Sequence, residues 1–310
     1  MIPDSGVYKK ETLIKGVPSL IDCIAVAGQV FRLSGKLVTT ATLEDEWYED
    51  LEDPDEAISI FKGMDSGKGK PDIVTFWQRY PYIEPRYSYR LEREDIAILP
   101  IKSHDHWLRS QIKSRVRSQI HKSQREGLIV RETVYDDEFV RGMTQIFNEA
   151  PVRQGRKFWH YGKTHEVVKE QFSRYLDREI MIGAYWKDEL IGFMMLGNAG
   201  RFALTGQIIS SLAHRDKATN NAMIAKAVQV CEERGLPALC YLFWSEDSLS
   251  EFKRRCGFER VAMPRFYVPI TKRGERCLTL GCHKGWRDLV PPSAKERLKG
   301  WRRSWYSRRP

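Results

Sequence analysis

The regular alternation of helical and strand patterns after residue 134 constrains the fold of this 310-residue chain more than any other feature. Apolar residues recur with helical spacing in some segments and form short strand-like runs in others. In chain order the pattern predicts a helix from Asp136, a helix over 164–177, strands over 180–186, 190–196 and 202–211, a helix over 220–234, a strand over 238–243, a short helix ending at Cys256, and a strand over 261–270. The turn Lys187-Asp188-Glu189 makes the first two strands a hairpin. This order predicts an α+β (α/β) domain with a mixed, mostly antiparallel central sheet flanked by helices.

A polar loop over 212–220 leads into the helix predicted over 220–234. The exposed N–H groups and the dipole at the start of a helix favour a bound phosphate. We therefore predict an anion site here, of a kind that suits the pyrophosphate of acyl-CoA. The residues predicted to form this site are Ile209, Ser210, Arg215, Lys217 and Asn220.

The net charge of +10 comes from two segments. Residues 101–126 contribute +5 and residues 295–310 contribute +6, while the rest of the chain sums to −1. The first segment predicts a basic helix over 105–126 that ends at Gly127, and the second predicts a basic tail. Both could contact nucleic acid or tRNA, or could simply be solvated. The acidic run 44–56 predicts a solvated loop, or a counter-charge folded over the basic helix.

Composition excludes several classes of protein. The chain is 42% hydrophobic and 30% charged, which is typical of a globular protein and not of disorder. No apolar run is long enough for a membrane span, and the first residues do not resemble a signal peptide. Six cysteines without a paired spacing predict reduced thiols and a cytoplasmic location. Because His104 and His106 would face different sides of a helix, no metal site is expected.

Three stretches resemble the GNAT acyltransferase fold and, within it, the FemAB-like branch. They are Glu189-Leu190-Ile191-Gly192-Phe193, the segment 249–259 with its Phe252-Lys253 pair and Gly257-Phe258, and the segment 120–130 that ends the basic helix. The resemblance implies two GNAT-like domains in tandem. We place an N-terminal domain, a degenerate GNAT-like copy, over 1–132, a C-terminal GNAT-like domain over 133–290 and the basic tail over 291–310.

The resemblance also bears on the donor substrate. GNAT enzymes that use acyl-CoA carry glycines in the pyrophosphate loop, whereas the matching positions here are Ala218 and Asn220. Glycine lets the backbone approach a phosphate without a Cβ atom. FemAB-like proteins also lose this motif and use aminoacyl-tRNA with a peptidoglycan precursor. Acyl-CoA and aminoacyl-tRNA therefore both stay open as donors, and a small-molecule or cell-envelope precursor is the expected acceptor.

Acyl transfer to an amine needs a base, an oxyanion stabiliser and an acid for the leaving group. The resemblance implies that Lys253 lies at the transfer site, although it could be a surface lysine of an amphipathic helix. Tyr241 follows the anion-site helix on the next strand and could be a general acid or a half-buried strand residue. Glu246, just beyond that strand, could deprotonate the amine.

The link 151–162 concentrates bases and aromatic rings between two predicted helices. Arg153 and Arg156 could clamp a phosphate or carboxylate. Trp159 and Tyr161 could stack on a sugar or base, and His160 could act as a base near neutral pH. A structured loop with aromatic anchors is the alternative. In GNAT folds this link overlies the acceptor site, so these five residues are predicted to bind substrate.

The sequence thus predicts transfer of an acyl or aminoacyl group to an amine of a polar, anionic acceptor by an N-acyltransferase. Two alternatives remain at this point. One is a GNAT-like binding module without catalysis, which the lost glycines favour. The other is an RNA-binding protein that uses the basic helix and the tail.

Overall fold

A computed structural model of the chain describes residues 6–14, 16–67, 69–246 and 248–284. The predicted basic tail over 291–310 lies outside these residues. The chain divides into two compact units. Unit 1 contains the residues up to Arg93, 151–159 and those from Pro264 onward; unit 2 contains 94–150 and 160–263. The domain boundary at residue 132 stays a prediction.

The elements of the described residues are numbered in chain order. The strands are β1 (Tyr8–Ile14), β2 (Val17–Val26), β3 (Gln29–Ser34), β4 (Thr40–Leu43), β5 (Ile73–Trp77), β6 (Arg90–Pro100), β7 (Ile129–Thr133), β8 (Val152–Arg153), β9 (Arg156–Lys157), β10 (Glu179–Trp186), β11 (Glu189–Asn198), β12 (Ala203–Ser210), β13 (Ala238–Phe243) and β14 (Glu259–Pro269). The α-helices are α1 (Pro54–Gly63), α2 (His104–His106), α3 (Ser114–Arg125), α4 (Asp137–Phe147), α5 (His165–Gln171), α6 (Thr219–Glu233), α7 (Ser248–Arg255) and α8 (Lys272–Leu280).

Unit 1 is built on a mixed sheet. Strands β1 to β4 pair antiparallel in chain order. The chain then crosses over through α1, so that β5 pairs parallel with β4. Strand β14 pairs antiparallel with the other side of β5. Apolar residues of β2, β3, α1, β5 and β14 form one core, in which the rings of Phe31 and Phe61 meet edge to face.

Unit 2 repeats this strand order. Strands β7, β10, β11 and β12 pair antiparallel, the chain crosses over through α6, and β13 pairs parallel with β12. Strand β6 pairs antiparallel with β13. The core of unit 2 includes the buried faces of α3 and α6, and the fully buried Trp107 donates its indole N–H to the carbonyl of Cys256 at 2.9 Å.

The repeated strand order explains the predicted tandem architecture. In each unit four antiparallel strands lead into a parallel crossover and a last antiparallel strand. The last strands are exchanged along the chain, because β6 follows β5 but pairs with β13, while β14 follows β13 but pairs with β5. The fold class predicted from the sequence, a mixed and mostly antiparallel sheet with flanking helices, is confirmed.

The basic helix predicted over 105–126 is interrupted. A short turn over His104–His106 continues as one turn of π-helix over Trp107–Gln111, and Ile112 then adopts an extended conformation before α3 begins. The Arg117 guanidinium donates to the carbonyls of Leu108 and Arg109 at 2.7 Å, which satisfies groups that the interruption leaves open. The predicted end at Gly127 is confirmed by its positive φ of 79°.

Another prediction for secondary structure is wrong, since the helix predicted over 164–177 ends at Gln171. Strands β5 and β6 follow each other along the chain but pair with distant partners: β5 lies between β4 and β14, and β6 pairs with β13. Strand pairing depends on chain segments far away in sequence, so the local pattern does not reveal it.

The acidic run supplies counter-charges within unit 1. Glu46 accepts hydrogen bonds from both terminal nitrogens of the buried Arg265, at 3.0 and 2.9 Å. Asp50 lies 3.4 Å from the buried Arg79, and Asp53 caps α1. The run is therefore more than a solvated loop, because several of its carboxylates neutralise or cap groups of the unit 1 fold. No helix among the described residues is long and apolar enough to cross a membrane.

Candidate active site

The parallel strands β12 and β13 of unit 2 separate along most of their length. They pair only through Ala203 with Leu239 and Leu204 with Cys240. Residues 205–210 and 241–243 continue as strands without pairing with each other, so a wedge opens toward the carboxyl ends of both strands. We call this gap the wedge.

Irregularities in both strands accompany the wedge. The β11–β12 register shifts next to Thr205, where Gly206 is the extra residue. In β13 the pairing with β6 shifts between Cys240 and Phe243, and Leu242 between them has a φ of 47°. A bulge bends its strand and re-aims the neighbouring side chains. The irregular residues Gly206 and Leu242 each lie two positions beyond the last β12–β13 pair, Leu204 with Cys240, so both strands are distorted where they separate.

Helix α6 begins beside the end of β12. Gly192 of β11 pairs with Ser210 of β12, and a Cβ atom on Gly192 would lie 2.5 Å from Cγ2 of Thr219, the first residue of α6. Only glycine at 192 allows the helix to start this close to the sheet. The helix has no side-chain cap and no acidic residue in its first turn. Its first N–H groups and positive dipole end therefore lie open beside the wedge.

The residue before α6 keeps the conformation that a glycine would favour. Ala218 adopts the left-handed region, with φ 55° and ψ 32°. Replacement of the expected glycine has thus added a methyl group without changing the backbone type. The Oγ1 atom of the buried Thr219 and the Oδ1 atom of Asn220 are both buried without a hydrogen-bond partner.

The predicted anion-binding residues fall into three groups. Ile209 and Ser210 lie at the end of β12, in the part that pairs with β11 but not with β13, and Asn220 lies in the first turn of α6. Arg215 is exposed in the 3₁₀ turn before α6. Lys217 is already engaged, because its ammonium lies 3.1 Å from Glu126 and 3.2 Å from Asp216, and 4.7 Å from the Trp186 ring centroid.

Basic helix α3 contributes to this arrangement by holding the loop before α6. The Lys122 ammonium donates to the carbonyl of Asp216 at 2.9 Å, and Glu126 accepts from Lys217. The hydrogen bonds and charges of Glu126 and Asp216 raise the pKa of Lys217. The loop over 214–217 is thus fixed to α3 by side chains, directly before Ala218.

Lys253 lies behind β13 and is buried, with 1% of its surface exposed. Its ammonium donates to the carbonyls of Tyr241 and Phe243, both at 2.7 Å, which flank the irregular Leu242. It also lies 4.5 Å from the centroid of the Tyr241 ring. The alternative of a surface lysine is wrong, since this cation is buried against the distorted end of β13.

Tyr241 and Glu246 lie in different surroundings. The Tyr241 ring packs against Phe258 at 5.6 Å between centroids, and burial raises the pKa of its phenol. The phenol is therefore protonated at neutral pH and can donate but not accept a proton. Glu246 is exposed and pairs with Arg260 at 2.8 Å, while Arg260 also binds Asp95. This ion pair competes with the role of Glu246 as a base.

The link 151–162 divides between the two units. In unit 1, β8 and β9 form a two-stranded hairpin that carries Arg153 and Arg156. The Arg153 guanidinium lies 4.6 Å from the Phe158 ring centroid, and Trp159 is exposed. In unit 2, Tyr161 is exposed.

The buried His160 belongs to the aromatic packing of unit 2. Its ring stacks on Phe147 with centroids 4.2 Å apart and on Phe172 at 5.7 Å. An imidazole enclosed in this way is poorly placed to exchange protons with a substrate in solution.

Glu149 is a residue that the sequence analysis missed. It follows α4, and its carboxylate accepts hydrogen bonds from the Ser211 hydroxyl and, at 2.6 Å, from the backbone N–H of Leu212. Ser211 directly follows β12, so this carboxylate lies at the open end of the wedge. The two partners are 62 residues apart in sequence, and no local motif announces the pair. Among the described residues, no cluster of His, Cys, Asp and Glu side chains could hold a metal ion.

The fold has known structural counterparts. No protein-family model and no curated protein sequence matches the chain. FemX superposes with a TM-score of 0.56 at 12% identity, covering 85% of this chain and 88% of that one. The C-terminal domain of a putative lysylphosphatidylglycerol synthetase from Agrobacterium fabrum gives 0.54 at 9% identity, over 84% and 88%. L-PGS from Bacillus licheniformis gives 0.54 at 15% identity, over 80% and 83%.

At these identities the comparison shows the fold alone. The coverage extends over both units, whereas the sequence motifs lie within 120–130, 189–193 and 249–259. The resemblance predicted from those motifs is confirmed at the level of the fold, which the chain shares with FemX and L-PGS.

Proposed function

We propose that this chain transfers an acyl or aminoacyl group to an amine of a polar, anionic acceptor at the wedge of unit 2. The observation that carries this proposal is the separation of β12 and β13 directly beside the uncapped start of α6. A gap between strands can admit an extended acyl donor, and an open helix end can hold its phosphate. The fold shared with FemX supports the same class of reaction.

The donor carries phosphate, as both acyl-CoA and aminoacyl-tRNA do. Since Lys217 is engaged by Glu126 and Asp216, main-chain N–H groups of α6 and the exposed Arg215 are the groups left to bind this phosphate. The left-handed conformation of Ala218 keeps these N–H groups directed as a glycine would. Both donors fit a cytoplasmic enzyme with reduced thiols.

Three side chains account for the chemistry. As the acceptor nitrogen attacks the donor carbonyl, the carboxylate of Glu149 takes the proton that the amine loses. The tetrahedral oxyanion forms near the bulged ends of β12 and β13, where the buried ammonium of Lys253 stabilises negative charge. The carbonyl then re-forms, the bond to the leaving sulfur or oxygen breaks, and the Tyr241 phenol protonates the leaving group.

The acceptor is an anionic cell-envelope precursor that carries an amine. The name lysylphosphatidylglycerol synthetase describes a lysyl group joined to an anionic lipid, which supports an aminoacyl donor and an acceptor of this charge. Arg153, Arg156, Trp159 and Tyr161 remain predicted acceptor contacts.

The test is transfer of a labelled group by the full-length chain. Labelled acetyl-CoA and labelled lysyl-tRNA are each offered with a nucleotide-linked peptidoglycan precursor that carries a free amine, and the labelled product is separated. Phosphatidylglycerol vesicles, whose headgroup offers only hydroxyl groups, are the control for transfer to oxygen. We expect one donor to label the amine acceptor, and Glu149→Gln and Tyr241→Phe to lower kcat, while the exposed turn variant Glu189→Gln does not. Donor binding without transfer to any acceptor would contradict the proposal and indicate a binding module.

A further inference from the structure

A second cavity in unit 2 lies between α3, α6 and α7. Its volume is about 310 Å³ and it is lined by residues of all three helices. The lining combines an apolar floor with polar walls. The residues that carry the argument are Val116 and Phe252 on the floor, and Arg115, Gln119, Asn221 and Arg255 around it.

The cavity has an excess of positive charge. Arg115 is exposed on α3 and forms no hydrogen bond or ion pair with any described residue. Arg255 donates through Nε to Glu251 at 2.7 Å, and its two terminal nitrogens have no partner in the described part of the chain. Glu251 is also bound by Arg254. Two guanidinium groups therefore face one carboxylate that is already shared.

The walls are fixed to each other before any ligand arrives. The backbone N–H of Lys113, just before α3, donates to the carbonyl of Arg255 at the end of α7 at 3.1 Å. Val116 on the adjoining turn is buried in the core that α6 and α7 share. A site held in this way loses little conformational entropy when it binds.

We infer that this cavity binds the phosphorylated adenosine of the acyl donor, with Arg115 on its phosphate. The inference rests on the proposed function, because acyl-CoA and the 3′ end of aminoacyl-tRNA both carry a phosphorylated adenosine. The guanidinium fork pairs two N–H groups with phosphate oxygens. The ring of Phe252 and the side chain of Val116 offer the apolar surface that a base requires.

This assignment gives the basic helix a role that its charge alone did not show. Asn221, which lines the cavity, lies in the first turn of α6, so the cavity adjoins the helix end that receives the donor's other phosphate groups. In the loop before α6, the charge of Lys217 is neutralised by Glu126. Arg115, from an earlier part of the chain, supplies positive charge in its place.

The test measures binding by calorimetry with the full chain at about 0.15 M salt. The two probes are adenosine 3′,5′-bisphosphate, which represents coenzyme A, and uncharged tRNA. We expect Arg115→Ala to weaken one probe by about tenfold or more, and Arg115→Lys to restore part of the loss. Arg125→Ala is the matched control, since Arg125 is an exposed base of the same helix outside the cavity.

The outcomes separate this inference from the proposed function. The probe that responds to Arg115→Ala identifies the donor class. Equal losses for Arg115→Ala and Arg125→Ala would indicate diffuse helix charge and overturn the site, as would an unchanged affinity or no binding by the wild-type chain. Transfer activity with a wild-type KM in Arg115→Ala would overturn the site and leave the function standing. Arg115-dependent binding without any transfer would support the site and overturn the proposed function.

Discussion

The two crossover helices, α1 in unit 1 and α6 in unit 2, connect parallel strands in the same strand order but differ at their starts. Helix α1 is capped by Asp53, begins with Pro54, and carries Asp55 and Glu56 in its first turn. Helix α6 has neither a side-chain cap nor an acid there. Acids at a helix start satisfy its N–H groups and repel a second anion. The start of α6 is therefore open to an anion, as the proposed donor site requires, whereas the start of α1 is capped and acidic.

The strands on either side of these helices differ in the same sense. Strand β4 pairs with β5 through three of its four residues, and β5 pairs with β14 along its whole length. In unit 2, β12 pairs with β13 at only two positions, and Lys253 binds the carbonyls on either side of the distortion in β13. One architecture thus serves as a closed scaffold in unit 1 and as an opened one in unit 2.

Removal of the Lys253 ammonium is expected to have the largest effect. In Lys253→Met the carbonyls of Tyr241 and Phe243 lose their donor, at a cost of about 1–3 kcal/mol for each buried group left unsatisfied. Urea unfolding measures the loss, and Lys272→Met, on the exposed first residue of α8, serves as the control. An unfolding midpoint equal to that of the wild type would show that the distorted end of β13 does not depend on this lysine.

A methyl group on Gly192 should displace the start of α6. In Gly192→Ala the new Cβ would meet Thr219 at 2.5 Å, and overpacking of this kind costs about 1–3 kcal/mol. Donor affinity should fall with stability, because the helix end moves. The control in unit 1, Gly63→Ala at the end of α1, meets no atom within 4 Å and should not destabilise the chain. A stable Gly192→Ala variant that binds donor normally would contradict the close approach.

An acid placed at the start of α6 should have opposite effects on stability and binding. Asn221→Asp gives α6 the charge that α1 has, so the free energy of unfolding should rise by about 0.3–1 kcal/mol. Affinity for the phosphate-bearing donor should fall by about tenfold. The mirror variant Asp55→Asn in α1 should lose stability and leave donor binding unchanged. If Asn221→Asp binds donor as well as the wild type does, the anion site lies elsewhere.

Loss of the cap on α1 should have the smallest effect. Asp53 accepts a hydrogen bond from the backbone N–H of Glu56 at 2.9 Å, and removal of such a cap costs about 1 kcal/mol. Asp53→Ala should therefore lower the thermal midpoint by a few degrees while transfer activity stays unchanged. A large loss of activity would mean that the start of α1 takes part in substrate binding.

Several features of the site were accessible from sequence because their signal is local. The loop before α6 and the Phe252-Lys253 pair each lie within a few residues, and short motifs indicated both. The pairing of Glu149 with Ser211, and that of Lys122 and Glu126 with the loop before α6, join residues far apart along the chain. The type of each amino acid does not indicate which distant residue it will contact, so no local sequence pattern could reveal these pairs.

From residue 134 onward the sequence by itself determined most of the segments that become helices or strands, because hydrophobic spacing, turns and caps act over a few residues. It also determined that charge concentrates in two segments and that three stretches, 120–130, 189–193 and 249–259, carry GNAT-like motifs. Tertiary structure alone decided which strands pair, that each unit is completed by a strand from the other half of the chain, and that β12 and β13 part. These outcomes depend on contacts between distant segments, whose free energies exist only once the chain has folded.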